Sequence, residues 1–152
     1  MQARMKNPAM ILPGAMDGIQ SLLKAARSAG VPDETLELVH LRTSQINGCA
    51  VCLHGGSHAA KKAGMSDERV WAVAGWREAP FYTDAERAAL ELAEVLARLA
   101  DRPDPVGDEL WERLTEHFNE PQLAALIMMI GLVNVFNRVN TALREPAGQT
   151  WS

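Results

Sequence analysis

With 152 residues, 47% of them hydrophobic and 22% charged, the chain is long enough to bury one core and too apolar to be disordered. Its formal charge of −4 comes from acidic and basic residues mixed along the chain; no lysine- or arginine-rich stripe gives electrostatic support to nucleic-acid binding. The only two cysteines stand three positions apart, too few and too close for a secreted disulfide scaffold.

Arg4 and Lys6 precede an apolar patch bracketed by Pro8 and Pro13, too short for an export signal. Residues 1–14 are therefore read as peripheral and the protein as cytoplasmic. Apolar positions at Ile19, Leu22, Leu23 and Ala26 share one helical face over 15–29, and Gly30-Val31-Pro32 stops that segment. Asp33 can cap a helix over 33–47 carrying Leu36, Val39, Leu41 and Ile46; Asn47-Gly48 closes it. The next helix runs from Cys49 to Lys62. Ser66 can cap a segment ending before Pro80. Thr83 and Glu86 have capping-box spacing and open a helix to about Ala100. After a loop at 101–105 come a shorter helix over 107–118 and a last one from Pro121 to about Arg144, stopped by Pro146. Its apolar run, Leu123–Val133, is 11 residues, well below the roughly 20 of a membrane span, so it reads as a buried core helix. The expectation is a compact all-α helical bundle forming one domain over 1–152, with six to seven helices and peripheral residues at 147–152.

The chemistry concentrates at Cys49-Ala-Val-Cys52. Thiols at i and i+3 lie about 60° apart around a helix, close enough to form a disulfide. At a helix start, unpaired amides and the positive end of the macrodipole favour a thiolate, most of all at Cys49. A thiolate oxidised to sulfenic acid is resolved by its neighbour. Two buried structural thiols are the plainer reading. A zinc site with His54 and His58 is a third. On a straight helix, however, His54 lies about 160° and His58 about 120° from Cys52, so both reach the thiols only if Gly55-Gly56 bends the backbone, or else they serve a neighbouring subunit. His40 stands about 60° from Glu37 on the preceding helix, so the two can share a site. Taken alone, Glu37 also reads as an exposed carboxylate favourable to a helix start. Asn134, Asn137 and Arg138 interrupt an apolar helix. They can bind substrate or the Glu37 carboxylate, or serve as buried hydrogen-bonding or subunit-contact groups. Met128, Met129 and the four tryptophans read as filler.

The stretch Glu37-Leu-Val-His-Leu-Arg-Thr-Ser-Gln-Ile-Asn-Gly-Cys-Ala-Val-Cys52 resembles the core motif of the alkylhydroperoxidase D / carboxymuconolactone decarboxylase family. The likeness extends through Lys62-Ala-Gly64, Gly75-Trp-Arg-Glu-Ala-Pro80 and Asn134-Val-Phe-Asn-Arg138, over about 33–146. It implies an all-helical fold assembling as homotrimers or homohexamers. It implies a peroxidase in which Cys52 attacks a small hydroperoxide and Cys49 resolves it, with Glu37 in the proton relay. An external dithiol, lipoylated or thioredoxin-like, would restore the pair, with no metal or organic cofactor required. Family members with the full relay carry a histidine four residues after the second cysteine, and here that position is Gly56. Val51 stands where some members have another histidine. Of the candidates to stand in, His40 is favoured over His54 and His58, giving the site Cys52, Cys49, Glu37 and His40. The rival functions are lactone decarboxylation, which needs no dithiol, and a non-catalytic oligomeric scaffold that lost its relay.

Overall fold

The computed structural model describes residues 2–148, and these contain helices and turns but no strand. In chain order the helices are α1 (Pro8–Ile11), α2 (Ala15–Arg27), α3 (Asp33–Asn47), α4 (Ala50–Lys62), α5 (Asp67–Ala72), α6 (Asp84–Ala97), α7 (Asp108–His117) and α8 (Glu120–Leu143). The all-α expectation holds, with one helix more than the upper bound. The addition is α1, a single turn capped by Asn7, whose side chain accepts the Ala9 N–H; it lies in the segment read as peripheral. Of the expected C-terminal periphery, residues 149–152 lie outside the described residues.

The central helix is α3, packed by α4, α6 and α8. A helix covered on several sides needs no single apolar stripe. Accordingly Thr35, Glu37, Thr43 and Ser44 are buried along with Leu36, Leu38, Val39 and Leu41. Leu36 and Val39 join Ala89 and Leu92 of α6 and Leu126 and Ile130 of α8 in the main core, each leucine or isoleucine contributing about 2 kcal/mol by its burial. Gly48 ends α3 with φ 66, the left-handed region that costs other residues about 1 kcal/mol or more. The Gly48 and Cys49 amides then donate to the Gln45 and Ser44 carbonyls. This tight reversal starts α4 at once, with Cys49 as its N-cap.

The capping box at Thr83 and Glu86 forms as its spacing predicts and fixes the start of α6. The segment from Ser66 behaves differently. Ser66 caps α5, but the helix ends at Ala72 and tightens into a 3₁₀ turn over Val73–Gly75. That turn swings Trp76 inward, where its Nε1 donates to Glu94 at 2.8 Å. By length and composition α8 could cross a bilayer, with 24 residues and mean hydropathy 1.5 in its most apolar stretch. Here it is a core helix: Leu126, Ile130 and Val133 are buried, and α2 and α3 pack along it.

Candidate active site

The site lies where α3, α4 and α8 meet. Cys49 and Cys52 are joined by a disulfide with Cα atoms 5.3 Å apart. Both are buried, and with Val51 they form a small apolar cluster against Phe136 of α8. Cys49 holds the N-cap, with non-helical φ −85 and ψ 96, while Cys52 sits at the third helical position. By its N-cap position Cys49 is the cysteine nearer the positive end of the α4 dipole, although its side chain makes no capping hydrogen bond.

From the last residue of α2, Arg27 reaches Glu37 of α3 in an ion pair, and it also binds Asp33 at 3.0 Å. Glu37 is 1% exposed, so its charge must be met by protein groups. Its second carboxylate oxygen lies 3.1 Å from His40 Nδ1. Burial alone pushes the Glu37 carboxyl up, but the hydrogen bonds and charges of His40 and Arg27 outweigh it and hold the group below its ordinary range. An ionised carboxylate can only accept, so Nδ1 carries a proton toward Glu37, and an unprotonated Nε2 is the ring nitrogen able to act as a base.

The expected seat of the missing histidine explains where this ring goes. A Cβ built on Gly56 would stand 3.1 Å from His40 Cε1 and 3.3 Å from its Nδ1. His40 thus packs into the space left by the absent side chain. Gly56 and Cys52 are separated by one turn of α4, so they lie on the same helix face. Of the sequence-predicted residues, Glu37 and His40 thus meet each other, with His40 against Gly56 one turn from Cys52, while Cys49 and Cys52 are joined to each other.

His54 and His58 do not join them. The helix runs unbroken through Gly55-Gly56, and both histidines are exposed on its outer side, with ring nitrogens 3.3 Å from one another. Among the described residues, no three histidine, cysteine, aspartate or glutamate side chains come together as a ligand set. The polar residues of α8 serve α3. Asn47 donates to Asn134 at 3.0 Å and to Asn137 at 2.9 Å, and Asn137 donates to Ser44 at 3.1 Å. Arg138 donates to Asn134 at 2.7 Å. Asn137 is thus a buried hydrogen-bonding group and Asn134 a partly buried one, whereas Arg138 is exposed and bonds within α8.

Two polar neighbours of the site carried no sequence signal. Arg27 lies on a different helix from Glu37. Asn140, buried on α8, donates from Nδ2 to Cys52 Sγ at 3.3 Å across 88 residues of sequence. It was legible only as one more asparagine in an apolar helix.

Residues 13–95 match the carboxymuconolactone decarboxylase family. The uncharacterized protein YdfG of Bacillus subtilis is 34% identical over 137 residues, covering 90% of this chain and 92% of its own. Among solved structures, a protein of unknown function from Agrobacterium tumefaciens, proposed to be the antioxidant defence protein AhpD, superposes with a TM-score of 0.87. It is 28% identical, over 98% of this chain and 100% of that one. The debrominase Bmp8, in a complex with 2,3,4-tribromopyrrole, shares the fold with a TM-score of 0.78 at 22% identity, over 90% of this chain and 72% of that one.

Proposed function

The chain belongs to the carboxymuconolactone decarboxylase family, and from that premise we propose that it is a thiol-dependent peroxidase, a disulfide oxidoreductase working through Cys49 and Cys52. The observation that carries this reading is the seating of His40 against Gly56, between the buried Glu37 and the helix face that bears Cys52. It supplies, from α3, the base that the departure at Gly56 removed from α4.

In the reduced enzyme the Cys52 thiol gives its proton to His40 Nε2, and Glu37 stabilises the imidazolium through Nδ1. The thiolate attacks the terminal oxygen of a small hydroperoxide. The O–O bond breaks, the alkoxide takes the proton from His40 and leaves as an alcohol, and Cys52 becomes a sulfenic acid. The Cys49 sulfur then attacks Cys52, forming the disulfide and releasing the hydroxyl with a proton as water. An external dithiol, lipoylated or thioredoxin-like, returns two electrons and two protons. This cycle fits a reducing cytoplasmic setting. Exposed apolar side chains at Met10, Ile11, Leu12, Ile127 and Met128 support assembly as a homotrimer or homohexamer.

The test is hydroperoxide consumption with a dithiol reductant. Wild type should turn over, Cys52→Ser should be inactive, and Cys49→Ser should stall after one oxidation. Turnover that survives Cys52→Ser would refute the mechanism. Lactone decarboxylation indifferent to both cysteines would replace it, and an inert pair with no turnover would leave a scaffold.

A further inference from the structure

The two sulfurs stand in unequal surroundings, and the inequality runs against the order of attack. Cys49 holds the N-cap of α4, at the positive end of its dipole, whereas Cys52 is three positions further in. The helix alone therefore stabilises the anion on Cys49. The proposed cycle requires it on Cys52. His40 is proposed to take the Cys52 proton; a group outside α4 that binds the Cys52 anion itself would complete the reversal.

Asn140 is positioned to do so. It stands in the last turn of α8, where its carbonyl accepts the amides of Arg144 and Glu145. Its side chain is 5% exposed, and its Nδ2 donates to Cys52 Sγ at 3.3 Å. A buried N–H directed at sulfur is a much better partner for a thiolate than for a thiol or a disulfide. The orientation of the amide is set by that contact. Oδ1 is buried without a hydrogen-bond partner. Turning the group over would bring oxygen against sulfur and leave the donors unmet as well. Beside this contact a cavity of about 290 Å³ opens, lined in part by Cys49, Val51, Asn140 and Arg144, so it reaches Cys49 and Asn140 from the α8 side.

We propose that Asn140 assigns the roles of the two thiols: its Nδ2–H holds the anion on Cys52 and makes Cys52, not the helix-capping Cys49, the nucleophile. This rests on the peroxidase reading for its purpose, but the charge assignment is measurable without any peroxide. The other charged or titratable groups facing the pair are Glu37 and His40 from α3, Arg144 and Glu145 beyond α8, and Arg4, which donates to the Ala142 and Leu143 carbonyls. All five stay in place in the variants below.

The experiment follows iodoacetamide alkylation against pH in the single-thiol chains Cys49→Ser and Cys52→Ser. With Asn140 present, the Cys52 thiol should titrate below the Cys49 thiol. Asn140→Leu removes the donor and should slow alkylation of Cys52 at neutral pH about tenfold, the effect of one charge-assisted hydrogen bond. Cys49 should change less than about twofold on the same reasoning. Asn140→Asp keeps the shape of the side chain, replaces the donor by a negative charge, and should slow Cys52 further. If Asn140→Leu does not fold, the aspartate variant decides. A Cys52 titration unmoved by these substitutions overturns the proposal, as does an equal shift at both cysteines. Hydroperoxide turnover of the wild type is measured separately. Absent turnover with the predicted titrations sinks the peroxidase reading alone, and turnover with a Cys52 indifferent to Asn140 sinks this proposal alone.

Discussion

The two sides of α4 carry similar residues in opposite circumstances. On the inner side are Cys52 and Gly56, both buried, with His40 of α3 packed on the glycine. On the outer side are His54, Gly55 and His58, all exposed; a Cβ on Gly55 would meet nothing within 4 Å. By sequence distance the outer histidines are the closest to the thiols. By packing they face away, and the histidine seated on the Cys52 side of α4 comes from another helix. Proximity along a chain is a poor guide to a site wherever an unbroken helix turns neighbours to opposite faces.

Removing the inner histidine should break this contrast most severely. His40→Ala is expected to lower kcat/KM for hydroperoxide by about a hundredfold or more, the usual scale for a positioned general base. A comparable loss in His54→Ala would reverse the assignment of faces.

Glu37 gives the next effect, seen in stability. Its carboxyl titrates lower in the folded chain than in the unfolded one. The stability it contributes is thus fully present above the ordinary glutamate value, about 4.3, and is lost as pH falls through the folded value. Glu37→Gln should cost about 2 kcal/mol at neutral pH, through the weakened contacts to Arg27 and His40. It should also flatten the decline of stability in acid. Denaturant melts at pH 7 and in the acid range measure both; an acid limb as steep as that of the wild type would contradict the ion pair.

The adjacent glycines sharpen the comparison without replacing any of the four candidate site residues. Gly55→Ala should add up to about 1 kcal/mol of stability by helix propensity and leave turnover unchanged. Gly56→Ala gains the same propensity but presses on His40 and on Leu41, whose Cδ2 would be 3.2 Å away. Its stability should change by less than about 1 kcal/mol while turnover falls roughly tenfold, because the ring must shift by a few tenths of an ångström. Equal kinetics in the two variants would remove the seat from the mechanism. The smallest effect is expected for His54→Ala and His58→Ala, within about 0.5 kcal/mol in stability and with wild-type turnover.

Much of this arrangement was readable from local signals. The capping residues Ser66 and Thr83 and the stop at Gly48 act within a few residues of where they stand, so the helices they bound followed from spacing. The Cys49–Cys52 pair and the Glu37–His40 pair each lie on, or at the start of, a single helix, and their angular separations follow from helical geometry. Asn119 and Gln122 also form a capping box, whose spacing was present in the sequence and not read. What could not be read depends on packing between helices. Arg27 meets Glu37 only because α2 lies beside α3. Asn140 meets Cys52 across 88 positions. The early end of α5 follows from the burial of Trp76 beneath Glu94. The seat at Gly56 is the clearest case, because an absent side chain acquires a role only when another helix fills its place.

That seat also constrains the evolutionary paths open to the protein. Gly56→His alone would force two imidazoles into one space, and under the proposed cycle His40→Ala alone would leave nothing to accept the proton. On that proposal each single step passes through a damaged enzyme, while the paired exchange is passable. The two positions are thereby entrenched together, and a descendant can regain a histidine on α4 only by giving up the one on α3 in the same stroke.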